Sequence, residues 1–218
     1  MRRIIYYCRM LWEICNELLL NIRTRSEQQL VSKGKENNAK RPWWRGPRYD
    51  KAKYDDNNVY ATPDYWYIYK IFRILNPGNS DIIYDIGSGK GRFLCVAARK
   101  RIKKCVGIEL FESLSEIAKQ NACRLRRRKA PIDIFCMDAS VADYSDGTIF
   151  FMFNPFGKDT LRDTLKNIER SIIKNHRKIV IVYYNDVHKD ILESLGWLSN
   201  YYSFNTFISG LNVSFWRN

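Results

Sequence analysis

The sequence predicts an α/β protein with a mostly parallel sheet of seven strands, a C-terminal antiparallel strand pair and an N-terminal helical extension. Three observations indicate this fold. Between residues 82 and 184, five short apolar runs alternate with stretches of helical periodicity. The runs are apolar at successive positions, as in strands that are buried on both faces of a sheet. A glycine-rich loop follows the first run, and two further β-rich runs close the chain.

The composition is that of a globular chain with an unusual charge. Its 218 residues are 45% hydrophobic and 28% charged, which excludes a wholly disordered protein. Lys and Arg number 37 against 23 Asp and Glu, so the net charge is +14. Such a field attracts nucleic acid, an acidic membrane surface or an acidic protein. Six cysteines without a CxxC pair and only two histidines argue against a metal site, and for a reducing cytoplasmic setting.

An amphipathic helix is predicted over residues 1–22. At about 100° per residue, its polar residues fall within about 140° of one another; they are Arg9, Glu13, Asn16, Glu17 and Asn21. The opposite face is wide and holds Leu11, Trp12, Cys15, Leu18 and Ile22. The charges argue against a membrane span and against a cleaved signal peptide. Three roles stay open: a helix docked on its own domain, one docked on a second subunit, and one lying on a membrane surface.

A basic and aromatic linker is predicted over residues 23–55. Residues 23–41 are polar and lack periodicity. In residues 41–54, Arg and Lys alternate with Trp43, Trp44, Tyr49 and Tyr54. Rings beside cations suit stacking on single-stranded nucleic acid. They also suit a loop that pins its aromatic side chains onto the domain, so both interpretations stay open.

The core covers residues 56–218. A helix over residues 64–75 ends at an Asn-Pro-Gly turn. Strands are predicted at 82–86, 105–110, 132–137, 148–153 and 178–184, and helices at 91–101, 113–129, 160–174 and 186–195. The runs at 201–207 and 211–216 form a hairpin. Because such sheets bind ligands beyond the carboxyl ends of their strands, the residues that follow each strand are the candidates for a site.

The glycine loop at residues 85–91 reads DIGSGKG. A dinucleotide fingerprint would need glycine in place of Arg92, and a P-loop would need glycine in place of Tyr84. An acidic residue followed by alternate glycines fits at every position. Glu109 ends the second strand, 18 residues past Gly91, where a carboxylate can accept hydrogen bonds from both ribose hydroxyls. Asp138 ends the third strand, in a place to accept from an adenine amino group.

The segments DIGSGKGR, GIEL and CMDAS resemble the successive cofactor motifs of class I S-adenosylmethionine-dependent methyltransferases. The resemblance covers residues 56–218, and YATPDYW and FMFNPFG resemble a small, poorly characterised bacterial-type subgroup. It implies a Rossmann-like methyltransferase fold with S-adenosyl-L-methionine as cofactor. It also implies that the 87–91 loop wraps the methionine end, with Ser88 and Lys90 as backbone donors, and that Asp85 orients the loop and the amino group. The implied cofactor contacts are Tyr60, Thr62, Asp85, Gly87, Ser88, Gly89, Gly91, Glu109 on the ribose, Leu110, Asp138 on the adenine, Ala139 and Asn154.

The turn Asn154-Pro155-Phe156 ends the fourth strand, where this fold faces the transferred methyl group. Amino-methylating relatives carry Asn/Asp-Pro-Pro-aromatic here, with an oxygen that accepts from the target amine and a ring that stacks on the substrate. We therefore expect Asn154, Pro155 and Phe156 to be catalytic. Because only one proline is present, Phe156 stands one residue early, and the alternative is a plain turn with Phe156 in the core. Residues 183–185 either line the acceptor pocket or are structural.

Two functions of different classes follow. The first is a methyltransferase directed to a nitrogen of a protein side chain or a nucleic acid, and the intact glycine loop favours it. The second is an RNA- or membrane-binding protein that keeps the fold with weak or no methyl transfer, and the basic runs 99–104 and 124–129 keep it open. We expect an anionic protein or RNA as partner, no metal, and a cytoplasmic protein that can be peripheral to a membrane. We expect residues 1–40 to serve self-association or membrane contact and to be dispensable for cofactor binding, because all motifs lie beyond residue 56.

Overall fold

Seven strands form one mixed sheet in the computed structural model, which describes residues 2–24, 61–207 and 209–218. The strands are β1 Ile82–Ile86, β2 Lys104–Glu109, β3 Ile132–Cys136, β4 Ile149–Phe153, β5 Val180–Tyr184, β6 Ser199–Asn205 and β7 Asn212–Arg217. Their order is β3-β2-β1-β4-β5-β7-β6. The first five strands pair in parallel, and β7 pairs antiparallel with both β5 and β6. The predicted fold class is confirmed.

Six α-helices of the described residues accompany the sheet: α1 Arg2–Leu20, α2 Tyr65–Leu75, α3 Arg92–Ala97, α4 Glu112–Arg124, α5 Lys158–Lys174 and α6 Lys189–Glu193. Helix α4 ends five residues before the predicted boundary at 129. After it, the Arg126 N–H donates to Leu20 O at 3.1 Å and the Lys129 N–H donates to Ala98 O at 2.7 Å. The chain leaves the helical path because these tertiary partners satisfy its amides.

Two apolar clusters cover the two faces of the sheet. One contains Leu20 and side chains of α2 and α3, including Ile68 and Phe93. The other contains side chains of α5 and α6, including Leu165. Successive residues of a strand enter different clusters, as Phe151 and Met152 of β4 do. This double burial is the physical reason that the strands read as unbroken apolar runs.

Helix α1 packs with its polar side inward. Glu13 and Asn16 are each 5% exposed, whereas Leu11 and Leu18 are 59% and 68% exposed. Of the three roles left open, α1 is thus docked on its own domain, but through its polar side, and the wide apolar face that we expected to be covered is turned outward. The end of α1 differs, because its apolar Leu20 is fully buried.

The buried Arg92 at the start of α3 explains this orientation. Its side chain is 4% exposed, with Nη1 2.6 Å from Glu13 Oε2 and Nη2 3.1 Å from Glu17 Oε1. Its Nε also donates to Thr24 Oγ1 at 2.9 Å. A charge away from water is tolerated only when it is paired, so α1 must turn its carboxylates toward the domain.

Helix α1 also completes the first turn of α2. The Tyr65 N–H donates to Glu13 Oε1 at 2.9 Å, and Arg9 Nη2 lies 2.6 Å from Asp64 Oδ2. The first amides of a helix lack intrahelical partners, so Glu13 supplies one from another element. The N-terminal helix is therefore bound to the start of α2 and to the start of α3.

Candidate active site

The glycine loop at residues 87–91 turns back over the end of β2. The amides of Gly87 and Ser88 both donate to Ile108 O, at 2.8 and 3.0 Å, and the Gly91 N–H donates to Ser88 O at 2.8 Å. Gly87, Gly89 and Gly91 have φ of 74°, 53° and 76°. These left-handed angles strain any residue with a Cβ. The alternate glycines are thus required by the backbone path.

Close packing is a second reason for two of these glycines. A Cβ on Gly87 would lie 2.4 Å from Pro155 Cβ, and one on Gly91 would lie 3.3 Å from Ala118 Cβ. The loop therefore contacts the turn after β4 on one side and α4 on the other. Pro155 is placed against the cofactor-motif loop, which brings the two predicted halves of the site together.

Glu109 lies beside the loop, as its position at the end of β2 predicted. It is 5% exposed, its Oε2 accepts from the Gly89 N–H at 2.7 Å, and its Oε1 accepts from the Phe111 N–H at 3.0 Å. Burial raises the pKa of this carboxyl, and the backbone donors oppose that rise. A carboxylate offers about four acceptor positions, and the amides of Gly89, Leu110 and Phe111 donate to Glu109, so an acceptor position remains for a ligand hydroxyl.

Asp85 is the second buried carboxyl of the site. Burial, and then the neighbouring charge of Glu109, raise the pKa of Asp85 well above its ordinary value of 3.8. Two buried acids behind a cradle of glycines match a ligand that carries a ribose diol and positive charge. S-adenosylmethionine has both, as an amino group and a sulfonium, so the residues present fit that cofactor.

Replacing Asp85 with asparagine should raise stability at neutral pH and weaken cofactor binding. Because the pKa of Asp85 is raised on folding, the stability that it contributes is full below its unfolded pKa near 3.8 and is lost as pH rises through the folded value. Asparagine does not ionise, so the variant does not lose stability in this way as pH rises. Thermal unfolding midpoints from about pH 4 to pH 8 should show a gap between variant and wild type that widens with pH.

The exposed Asp163 offers a matched control for this test. Asp163 faces solvent on α5. Asp163→Asn should change the midpoint little, since its carboxylate is mostly exposed and pairs with the equally exposed Lys166. A constant gap between Asp85→Asn and wild type across the range would contradict the sign derived from burial.

The backbone groups of Ser88 and Lys90 have hydrogen-bond partners within the protein that the sequence did not predict. The Ser88 N–H is already donated to Ile108 O, so it does not serve as the carboxylate donor expected of it. The Ser88 Oγ is buried, has no hydrogen-bond partner among the described residues, and lies 2.9 Å from where a Gly107 Cβ would be. It therefore points toward β2. Lys90 O accepts from Asn121 Nδ2 at 2.9 Å, which ties the loop to α4.

Asp138 follows β3 on the same edge of the sheet as Glu109. The register pairs Glu109 with Cys136, and the Met137 N–H donates to Glu109 O at 2.9 Å. Asp138 is exposed, and its Oδ1 accepts from the amide and hydroxyl of Ser140 at 2.7 and 2.8 Å. Asp138 thereby begins a short 3-10 helix, Ala139–Val141. Its role toward adenine stays a prediction.

Of the remaining predicted cofactor residues, Leu110 and Ala139 follow β2 and β3 on this edge. Leu110 is half-buried and Ala139 is buried; their carbonyls accept from the Cys136 thiol at 3.6 Å and the Tyr144 hydroxyl at 2.7 Å. Thr62 is half-buried and precedes Pro63, whose carbonyl accepts from Arg92 Nη1 at 3.2 Å. Tyr60 lies outside the described residues.

Asn154 begins the turn after β4 in a left-handed conformation, with φ of 39°. The buried Tyr183 hydroxyl donates to Asn154 Oδ1 at 3.2 Å. The side chain of Asn154 is thus held by the end of β5, the next strand of the sheet. Since Asn tolerates positive φ better than most residues, both its backbone and its amide suit this position.

The expectation that Phe156 stacks on a substrate is wrong. Phe156 is 5% exposed and belongs to the apolar cluster that contains Met152 and Leu161. With one proline in the turn, the ring arrives one residue early and enters the core instead of the site. Asn154 and Pro155 remain at the site, and Phe156 stabilises the turn from below.

Sequence reasoning missed the contacts that join the N-terminus to the glycine loop. Arg92 immediately follows the loop and pairs with Glu13 and Glu17. Asn121 accepts from the Arg23 N–H at 2.9 Å while it also binds Lys90 O. Glu13 and Glu17 lie one helical turn apart, which indicates a shared cationic partner, but nothing in the sequence identifies Arg92 as that partner. These contacts oppose the expectation that residues 1–40 are dispensable for cofactor binding.

No group of three or more His, Cys, Asp or Glu among the described residues is arranged to hold a metal ion. The site therefore consists of the glycine loop, two buried carboxyls, an exposed Asp138 and an amide at the end of β4. These groups suit a ligand that carries a ribose diol and a positive charge.

Comparisons with known proteins show the family and the fold of this chain. The family model described as histone methylation protein DOT1 matches residues 49–180, which is more than half of the chain. An uncharacterised protein of Methanocaldococcus jannaschii is 28% identical over 105 residues, which are 48% of this chain and 42% of that protein. The match thus spans about two fifths of the relative's length.

Solved structures share the fold at low sequence identity. An RNA methyltransferase from Salinibacter ruber, in complex with S-adenosyl-L-homocysteine, has a TM-score of 0.54 at 20% identity and covers 72% of this chain and 93% of its own. Precorrin 8W decarboxylase from Methanobacterium thermoautotrophicum has a TM-score of 0.52 at 16% identity and covers 73% and 92%. At these identities, the likeness shows the Rossmann-like fold alone.

Proposed function

Since the chain belongs to the histone methylation protein DOT1 family and has the fold of class I S-adenosylmethionine-dependent methyltransferases, we propose that it methylates a side-chain amine of a protein. The choice of an amine as acceptor is based on the positions of Asn154 and Phe156. An amide stands at the end of β4, while the only ring of the turn is in the core. A site with an amide and without that stacking ring suits an aliphatic amine better than a flat nucleobase.

The residues around Asn154 would orient the acceptor. When bound, S-adenosylmethionine would supply a methyl group on a sulfonium, which an amine lone pair would attack in line while the departing sulfur keeps the bonding electrons. An amide oxygen accepts an amine N–H and so directs the nitrogen lone pair elsewhere. Tyr183 fixes one side of Asn154 Oδ1. The amide of Asn154 is the proposed contact for the acceptor amine.

The buried carboxyls would hold the cofactor from the other side. Glu109 would bind the ribose hydroxyls and Asp85 the amino group, with the 87–91 loop close against the methionine end. The loop contacts Pro155, the residue after Asn154, so both binding functions share one edge of the sheet. We propose a cytoplasmic setting for this activity, as the free cysteines of the described chain suggest.

The test is incubation of the protein with tritiated methyl donor and whole-cell extract, followed by separation of protein, RNA and small molecules. We expect label in the protein fraction. Glu109→Ala should weaken donor binding by about 1–3 kcal/mol, since the ribose hydroxyls lose their partner. Gly89→Val should abolish binding, because φ of 53° strains a β-branched residue. The exposed Glu116→Ala is the control and should bind normally.

Each other outcome has a distinct meaning. Label in RNA would make the acceptor a nucleic acid, as for the Salinibacter protein of the same fold. Donor binding by calorimetry without any label would favour a binding protein that retains the fold. Donor affinity equal in wild type, Glu109→Ala and Gly89→Val would contradict the proposed cofactor site itself.

A further inference from the structure

Helix α1 leaves a row of apolar side chains on the outside of the molecule. This α1 outer face consists of Leu11, Trp12, Ile14, Leu18 and Leu19, which are 59%, 46%, 40%, 68% and 67% exposed. At about 100° per residue, they cover one side of the helix. Large exposed apolar patches mark surfaces that bind a partner or a membrane. We propose that the α1 outer face rests on the surface of an anionic lipid bilayer, with α1 parallel to the membrane plane.

The acidic residues of α1 do not oppose such contact. Glu13 and Glu17 are the only acids in Arg2–Leu20, and both pair with Arg92 on the inner side. The orientation that buries these carboxylates is the same one that turns the leucines outward. The α1 outer face is therefore free of negative charge, which a sequence-based count of charges along the helix does not reveal.

A basic surface adjoins the end of α1. This basic rim consists of Arg124, Arg126, Arg127, Arg128 and Lys129, and all five are exposed. It is joined to α1 by the Arg126 N–H, which donates to Leu20 O at 3.1 Å, and by Asn21 Nδ2, which donates to Arg124 O at 3.0 Å. No acidic side chain of the described ranges forms an ion pair with the basic rim.

The basic rim extends to a second exposed basic segment. The Lys129 N–H donates to Ala98 O at 2.7 Å, which places the run 99–103 next to it. Arg101 and Lys103 of that run are exposed. An apolar helix face beside clustered cations is the combination that binds amphipathic helices to anionic membrane surfaces.

Charge decides between a bilayer and a second copy of the chain. A symmetric dimer on the α1 outer face would bring two basic rims, and two chains of charge +14, toward each other. Nucleic acid would satisfy the basic rim but not the row of leucines. Anionic lipid satisfies both. No described helix is both long and apolar enough to cross a bilayer, so α1 would lie on the surface.

The test is co-sedimentation of the full chain with sucrose-loaded vesicles of phosphatidylcholine, with and without phosphatidylserine. Wild type should bind the phosphatidylserine vesicles and be released by added salt. Leu11→Ser with Leu18→Ser should weaken this binding about tenfold or more, because two inserted side chains are lost. Arg126→Glu with Arg127→Glu should also weaken it, and only on the anionic vesicles.

Ile173→Ser is the matched control. Ile173 is 65% exposed on α5, which covers the opposite face of the sheet, and its replacement should leave vesicle binding unchanged. Thermal unfolding should show that all variants remain folded. Failure of wild type to bind phosphatidylserine vesicles, or equal binding by the leucine variant, would overturn the proposal. A wild-type dimer that becomes monomeric in the leucine variant would assign the face to a second copy and would likewise overturn it.

Discussion

Replacing Glu13 and Glu17 together with alanine should lower the free energy of unfolding by about 3–5 kcal/mol, the usual cost of leaving a buried ion without its partner. Both carboxylates pair with an Arg92 side chain that is 4% exposed. Glu13 also accepts from the Tyr65 N–H at the start of α2. Denaturant titration should show an earlier midpoint for the variant.

Arg92→Met in the same background separates charge from packing. Without the guanidinium, no buried cation is left unpaired, so the triple variant should recover part of the lost stability. Glu116→Ala, which breaks an exposed pair with Lys119, is the control and should leave the midpoint unchanged. A loss in the double variant no greater than in this control would show that the Arg92 pairs do not hold α1 in place.

The same double variant should weaken binding of S-adenosylmethionine. Arg92 is the first residue of α3 and directly follows Gly91. If Arg92 moves because its two carboxylate partners are gone, the end of the glycine loop moves with it. Calorimetry with the folded variant measures this effect apart from stability. The result would decide the earlier expectation that the N-terminal residues are dispensable for cofactor binding.

Asn154→Ala should lower kcat/KM by roughly 10²-fold, as expected when a positioning contact in the transition state is lost. Donor affinity should stay within about a factor of three, a difference below about 0.7 kcal/mol. Tyr183→Phe removes the hydroxyl that holds Asn154 Oδ1 and should cost about 1 kcal/mol, or roughly fivefold in kcat/KM. Steady-state kinetics on the labelled acceptor gives both values.

Asn76→Ala is the matched control for Asn154→Ala. Asn76 has φ of 41° at the end of α2, close to the 39° of Asn154, and it is exposed. Both variants should lose a similar amount of stability from backbone strain, about 1 kcal/mol or more. Only Asn154→Ala should lose activity. Equal kcat/KM for both variants and wild type would mean that the turn after β4 is structural.

Asn154→Asp tests the protonation of the acceptor. Aspartate accepts the same hydrogen bonds and tolerates the left-handed backbone, but its charge favours a protonated amine that cannot react. Activity should therefore fall near neutral pH and partly recover at higher pH. Full activity of Asn154→Asp at neutral pH would argue against an amine acceptor.

The sheet and the cofactor edge were predictable because their signals are local. Strand β1 occupies residues 82–86 as predicted, since every one of its side chains is buried. The three glycines predicted to form the cofactor loop have positive φ, which glycine adopts without steric cost. Glu109 ends β2 and Asp138 comes shortly after β3, and these parallel neighbours end at the same edge of the sheet. Each of these features depends on residues close in the chain.

What the sequence by itself determined is the α/β sheet, the glycine loop and the acids at the strand ends. The tertiary structure alone decided the orientation of α1, because its two faces differ in polarity but only the distant Arg92 determines which one packs inward. It also decided that Phe156 is a core residue, since the space between β4 and α5 is set by side chains from both. A helical pattern shows that two faces exist, whereas the pairing of a buried charge, 79 residues away, selects between them.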